Sequence, residues 1–208
     1  MESMVSTLHA MGVTNIFAAL SLLISGAAYV VIGYDIGRGS TRPIITTWFI
    51  WTIVNVIMFF AMREEALRYD RTLSAQMIAY TVGTACILLL TLTRRGTWIW
   101  TRSDLYVLLG AVVALGLWFA MNDPVYALVT SLFATGIGSA PLWIELSRNP
   151  KSQGTIPWLM WWIGGLLGLF AVEKQNELTE WIMPITVFAF QCFTIFLIYR
   201  PVRASHTR

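Results

Sequence analysis

The 208-residue chain is 57% hydrophobic and only 12% charged, with a mean hydropathy of +0.66. Soluble domains carry about a quarter charged residues, so this composition excludes an ordinary soluble globular protein and points to an integral membrane one. The net charge of +3 carries little as a total, because in a membrane protein the placement of Lys and Arg matters more, and no nucleic-acid partner is expected.

Read in order, the chain offers seven mostly apolar stretches, at about 15–34, 43–62, 73–93, 104–121, 124–144, 156–173 and 179–199. Each approaches the ~20 residues that a helix needs to cross a bilayer. None alternates with the period of a membrane barrel strand, so an all-helical bundle of seven transmembrane helices is predicted. No signal peptide is recognised, and the first helix is expected to act as its own insertion signal. The connections on the C-terminal side of the bundle carry ten basic residues, among them Arg38, Arg94, Arg95, Arg148 and Lys151. The opposite side carries four, Arg63, Arg68, Arg71 and Lys174. Positive residues are retained in the cytoplasm, which predicts N-terminus outside and C-terminus inside a bacterial inner membrane.

The first and second halves share a pattern. Thr41 and Pro43 recur 114 residues later as Thr155 and Pro157, and the same offset sets Ser25 on Ser139, Tyr29 on Trp143 and Trp48 on Trp162. Threonine suits the cap of a helix and proline its first turn, so both helices are expected to begin there. In the third helix of each half an offset of 106 pairs Met77 with Met183, Cys86 with Cys192 and Arg94 with Arg200, the difference being taken up by a longer loop over Arg63–Thr72. The expected organisation is a first three-helix repeat over 1–95, a linker helix over 96–122, and a second three-helix repeat over 123–208 ending in a short cytoplasmic tail. Three spans is an odd number, so the linker helix restores the direction of the second unit and makes the repeats parallel.

Polar residues within a span are costly and face a cavity or a partner helix. Trp48, Trp51 and Asn55 share one face of the second helix, and Trp158 and Trp162 are one turn apart at the start of the sixth. These residues, with Tyr80, Thr84 and Gln191, form the candidate solute site: facing aromatic ladders to stack on a flat solute, amides to bond it. The competing expectation sets Trp48, Trp158 and Trp161 in an interfacial belt. Pro43, Pro141, Pro157 and Pro184 are the candidate hinges or gates. The two cysteines lie in apolar segments and are expected to pack as free thiols. Asp35 and Glu145 are expected to snorkel or to pair with Arg38 and Arg148. No catalytic motif, metal-ligand cluster or cofactor motif occurs, and a retinal-binding lysine is missing from the middle of the last helix. The chain is therefore not expected to be an enzyme.

Pro141-Leu142 followed by Arg148-Asn149-Pro150-Lys151-Ser152-Gln153-Gly154-Thr155 resembles the Pro-Gln, basic-turn, Lys-Ser pattern of the PQ-loop superfamily, whose members include the SWEET sugar transporters and the KDEL receptor. Leu142 stands where that family has glutamine, and Ala27-Ala28 where the first copy would have Pro-Gln, so the chain looks like a divergent member. The resemblance implies a 3+1+3 arrangement and transport of a small solute, such as a sugar, by alternating access; the lack of charge within the spans points to a neutral or weakly polar solute moved without tight ion coupling. It also implies two alternatives: a KDEL-receptor-like receptor or scaffold, and a vitamin or nucleoside transporter of the same plan. The expected partners are the lipid bilayer, a small-molecule solute and a second copy of the chain in a homo-oligomer.

Overall fold

The structure, a computed structural model, describes residues 2–41, 43–68, 75–93, 102–121, 124–172 and 178–201. Among these every regular element is helical: α1 (Glu2–Arg38), α2 (Ile45–Arg68), α3 (Ala75–Thr93), α4 (Arg102–Met121), α5 (Pro124–Arg148), α6 (Thr155–Phe170) and α7 (Leu178–Tyr199), with one 3₁₀ turn at Pro150–Ser152. By length and composition α1 is long and apolar enough to cross a membrane, over Thr14–Arg38. Four shorter apolar helices follow, at Ile45–Phe60, Met77–Thr93, Thr155–Phe170 and Pro184–Tyr199. Of the residues used for orientation, Arg42, Arg71, Arg94, Arg95, Lys174, Arg203 and Arg208 lie outside the described residues.

The packing has a simple pattern. Helix α3 lies against both α1 and α2, and α7 lies against both α5 and α6. Across the middle α1 packs on α6 and α2 on α5, while α4 packs chiefly on α5. Small residues permit the central approaches. Ser21 donates its hydroxyl to the Gly164 carbonyl at 2.7 Å, and a Cβ at Gly164 would meet the Ser25 hydroxyl at 2.3 Å. On the other side of the bundle a Cβ at Gly138 would meet Ile50 at 2.6 Å.

The buried face of α1 runs through Ser21, Ser25, Ala28, Ile32 and Ile36, and one of the two apolar cores includes Ala28, Ile32 and Ile36. On α5, 114 residues later, Ser139, Leu142 and Leu146 are likewise buried, and the last two share that core. Leu142 is therefore a core side chain, which accounts for an apolar residue where glutamine was the resembling pattern. The third helices need a correction. The outward residues Ile78, Leu89 and Leu92 of α3 find their equivalents in Ile185, Phe196 and Tyr199 of α7, an offset of 107 rather than 106. At 106 Cys86, exposed, falls on the half-buried Cys192, because one residue turns a helix by about 100° and changes its face.

Helix ends also differ from expectation. Helix α5 continues through Pro141 to Arg148, so the basic connection begins only at Asn149, and α2 continues through Arg63 to Arg68 where a loop was predicted. Proline does not interrupt α7 at Pro184 either. Pro43 precedes α2, and Pro157 is buried in the first turn of α6. Thr155 is the first residue of α6 and does not cap it; the capping position is Gly154, and the Gly154 N–H donates to the hydroxyl of Thr41 at 3.1 Å. The threonine paired with Thr155 thus serves the other half's helix. Helix α1 ends in a Schellman motif: Gly39 takes φ +75°, its N–H donates to the Ile36 carbonyl and that of Ser40 to the Asp35 carbonyl. Asp35 itself points towards Gly154, and Arg38 lies over the Tyr34 ring at 4.6 Å.

Candidate solute site

A cavity of about 80 Å³ lies in the middle of the bundle, walled by every long helix except α4. That is room for on the order of five water-sized groups. Helix α2 contributes Trp48, Trp51, Asn55 and Met58, spaced three to four residues apart as one helical face requires. Helix α3 adds Tyr80 and Thr84, α6 adds Trp158 and Trp161, and α1 adds Tyr29. The wall is completed by Leu132, Thr135 and Ser139 from α5 and by Val187, Phe190, Gln191 and Thr194 from α7. No Asp, Glu, Lys or Arg lines it, and among the described residues no group of acidic, His and Cys side chains could hold a metal ion.

The aromatic rings do not form two stacked ladders. They meet edge to face: Trp51 with Trp48 at 5.3 Å and with Trp158 at 6.2 Å, Trp158 with Trp161 at 5.1 Å, and Trp161 with Tyr29 at 4.9 Å. Such contacts hold each ring in place beyond the area it buries. Trp48, Trp158 and Trp161 are each at most 3% exposed, which takes them out of any interfacial belt.

Hydrogen bonds fix the polar side chains. The Trp51 indole donates to Ser139 Oγ at 3.2 Å, joining α2 to α5. Asn55 Nδ2 donates to Thr84 Oγ1 at 3.3 Å, joining α2 to α3. Thr84, Thr135, Ser139 and Thr194 each turn their own proton back to a carbonyl one turn earlier in their helix. Three of the wall residues also carry a fully buried polar atom with no partner within the protein: the indole nitrogens of Trp158 and Trp161 and the Oε1 of Gln191. A buried donor left unpaired costs ~1–3 kcal/mol; Ser25, Thr47, Ser152 and Arg200, outside the wall, carry such atoms as well.

Of the eight residues that the sequence puts forward for the site, Trp48, Trp51, Asn55, Tyr80, Thr84, Trp158 and Gln191 line this cavity, and Trp162 does not. The Trp162 indole instead donates to Cys192 Sγ at 3.2 Å and its ring leans on Phe188 at 5.8 Å. On a helix, positions three and four after Trp158 lie on opposite flanks of it, and the cavity is on the flank of Trp161. Tyr29, Thr135 and Ser139 were not put forward, since only the packing of α1 and α5 against the other helices brings them to the wall. Comparison of the chain with protein-family models, with curated proteins and with solved structures finds no match.

Proposed function

We propose that the chain is a membrane transporter, carrying a small uncharged solute through the central cavity between two three-helix units, α1–α3 and α5–α7, with α4 as the linker. The observation that carries this reading is the cavity itself: central, walled by both helix groups, free of charge, and lined by aromatic rings with hydroxyl and amide side chains among them.

Three further features support it. Leaving α4 aside, exchanging α1, α2, α3 with α5, α6, α7 turns the packed helix pairs into one another, the relation expected of two parallel repeats. The outer surface carries large apolar side chains in quantity, among them Leu23, Val30, Val82, Leu89, Phe133 and Phe196, each more than half exposed. Exposed apolar area on that scale suits lipid rather than water. The cavity, by contrast, lacks the buried carboxylate that proton or ion coupling commonly uses, so the reading is a facilitator. Seven spans, with the N-terminus outside and the C-terminus in the cytoplasm, remain the arrangement that the loop charges support.

The test is solute flux into liposomes containing the purified chain. Trp51→Ala and Asn55→Ala are expected to reduce flux at least tenfold, with the protein still eluting as a folded species. Flux that both variants leave unchanged would sink the site, and a chain that moves no solute from a broad panel would sink the function.

A further inference from the structure

The two three-helix units are tied together at one end of the cavity, where α1 and α5 finish and α2 and α6 begin. Trp48 and Trp51 stand three and six residues after the first residue of α2, and Trp158 and Trp161 three and six after the first of α6, so the four indoles share a level. Helices α2 and α6 are not among the closely packed pairs. Indole rings span the space between them instead, Trp51 to Trp158 and Trp48 to Trp161, each at 6.2 Å. Nearer the end, Ile36 and Leu146 are buried in the same core as Trp48, Trp158 and Trp161, each two residues from the last residue of its helix. Helix α7 is gripped here too: among its described side chains the buried ones are Thr194 and Leu197, both within its last six residues.

Beyond the indoles a polar contact joins the units. Thr41, in the connection from α1 to α2, is 3% exposed and accepts the Gly154 N–H at 3.1 Å, at the start of α6. The Asp35 carboxylate stands at the same point, with Oδ2 2.6 Å from where a Gly154 Cβ would lie. A carboxylate at a helix N-terminus is favoured by the helix dipole. The reciprocal pair under the 114-residue offset, Thr155 with Ser40, makes no second tie of this kind, because the Ser40 N–H is spent on the Asp35 carbonyl. We propose that the four indoles plug the cavity at the Arg38–Arg148 end and that the contact of Thr41 and Asp35 with Gly154 is the latch that keeps this mouth shut. Opening it parts α2 from α6, which are bridged by side chains, and breaks a single hydrogen bond between units. This rests on reading the cavity as the solute path.

The experiment uses the full chain with Cys86→Ala and Cys192→Ser, so that introduced thiols react alone. A Cβ on Gly154 would lie 3.2 Å from Thr41 Oγ1, close enough for Thr41→Cys and Gly154→Cys to join as a disulfide once the Asp35 carboxylate turns aside. Oxidation of that pair in liposomes is expected to abolish solute flux, and reduction to restore it. A pair that does not crosslink, or full crosslinking with flux unchanged, would overturn the latch. The second arm needs no flux. Thr135→Cys sets a thiol in the cavity wall, and a charged methanethiosulfonate is applied from the Arg148 side, identified by the labelling of a separate Lys151→Cys chain. Adding Thr41→Val is expected to speed labelling about fivefold, the net worth of one hydrogen bond, while Thr41→Ser leaves the rate as it was. A rate that Thr41→Val does not raise would equally overturn the latch. Labelling that responds to Thr41 in a chain moving no solute would keep the latch and remove the transport reading; flux with labelling indifferent to Thr41 would do the reverse.

Discussion

Trp51 and Ser139, 88 positions apart, are joined by a 3.2 Å hydrogen bond across the α2–α5 contact. The equivalent contact of α1 with α6 has no indole–hydroxyl bond; there Ser21 donates to the Gly164 carbonyl. Gly165 stands where Trp51 would recur, and Ser25, the counterpart of Ser139, is buried with an unpaired hydroxyl. The two central contacts share a helix order but differ in filling: an indole reaches from one into the cavity, and small residues close the other. The cavity is accordingly lopsided, with four side chains from α2 and two from α6.

The Trp51–Ser139 bond is expected to show as a coupling energy. A double-mutant cycle with Trp51→Phe and Ser139→Ala, followed by thermal unfolding in detergent, should give about 0.6 kcal/mol, the usual scale for hydrogen bonds between membrane helices. Additive effects of the two changes would remove the bond from the account.

At the opposite contact the glycine is decisive. Gly164→Ala puts a methyl group at 2.3 Å from Ser25 Oγ and is expected to destabilise by about 1–3 kcal/mol. Adding Ser25→Ala removes the clashing atom and should restore much of the loss. Gly26→Ala serves as the control. Nothing lies within 4 Å of its new Cβ, and the gain in helix propensity should stabilise by about 0.5–1 kcal/mol. Melting temperatures that fall equally for Gly26→Ala and Gly164→Ala would contradict this packing.

Among the tryptophans of α6 the structure predicts a split. Trp162→Phe should leave solute binding unchanged, because its indole is engaged with Cys192 outside the cavity. Trp158→Phe should weaken it. Equal losses from the two would mean that the flank of α6 has been assigned wrongly.

The bond between Thr41 and Gly154 gives a fourth test. Thr41→Val keeps the shape and removes the acceptor of the Gly154 N–H, for a cost of about 1 kcal/mol; Thr41→Ser should retain the stability. Equal melting temperatures for the Val and Ser variants would show that the bond contributes nothing.

How far the sequence led can be judged from these same residues. Trp48, Trp51 and Asn55 were readable as one face because the spacing of a single helix dictates it. Trp161 and Trp162 both neighbour Trp158 on the helix, so spacing alone does not choose between them; packing sets Trp161 at the cavity and the Trp162 indole on Cys192 of α7. The 114-residue offset pairs Tyr29 with Trp143, yet Tyr29 lines the cavity while the Trp143 indole bonds to Thr194. Equivalent positions keep their backbone surroundings; they do not keep their partners. Thr41 shows the same limit, since its role at Gly154 depends on a contact between residues 113 positions apart.

The register of the third helices has one more consequence. Equivalent faces are 114 residues apart in the first two helices and 107 in the third, so the α2–α3 hairpin is seven residues longer than the α6–α7 hairpin. Seven residues make nearly two whole helical turns, within about 20°. A helical hairpin can therefore gain or lose that length at its tip and still present the same sides inward and outward. Excising seven residues around the α2–α3 tip should leave the cavity intact, whereas excising eight should rotate α3 by about 80° relative to α2 wherever the cut falls in continuous helix.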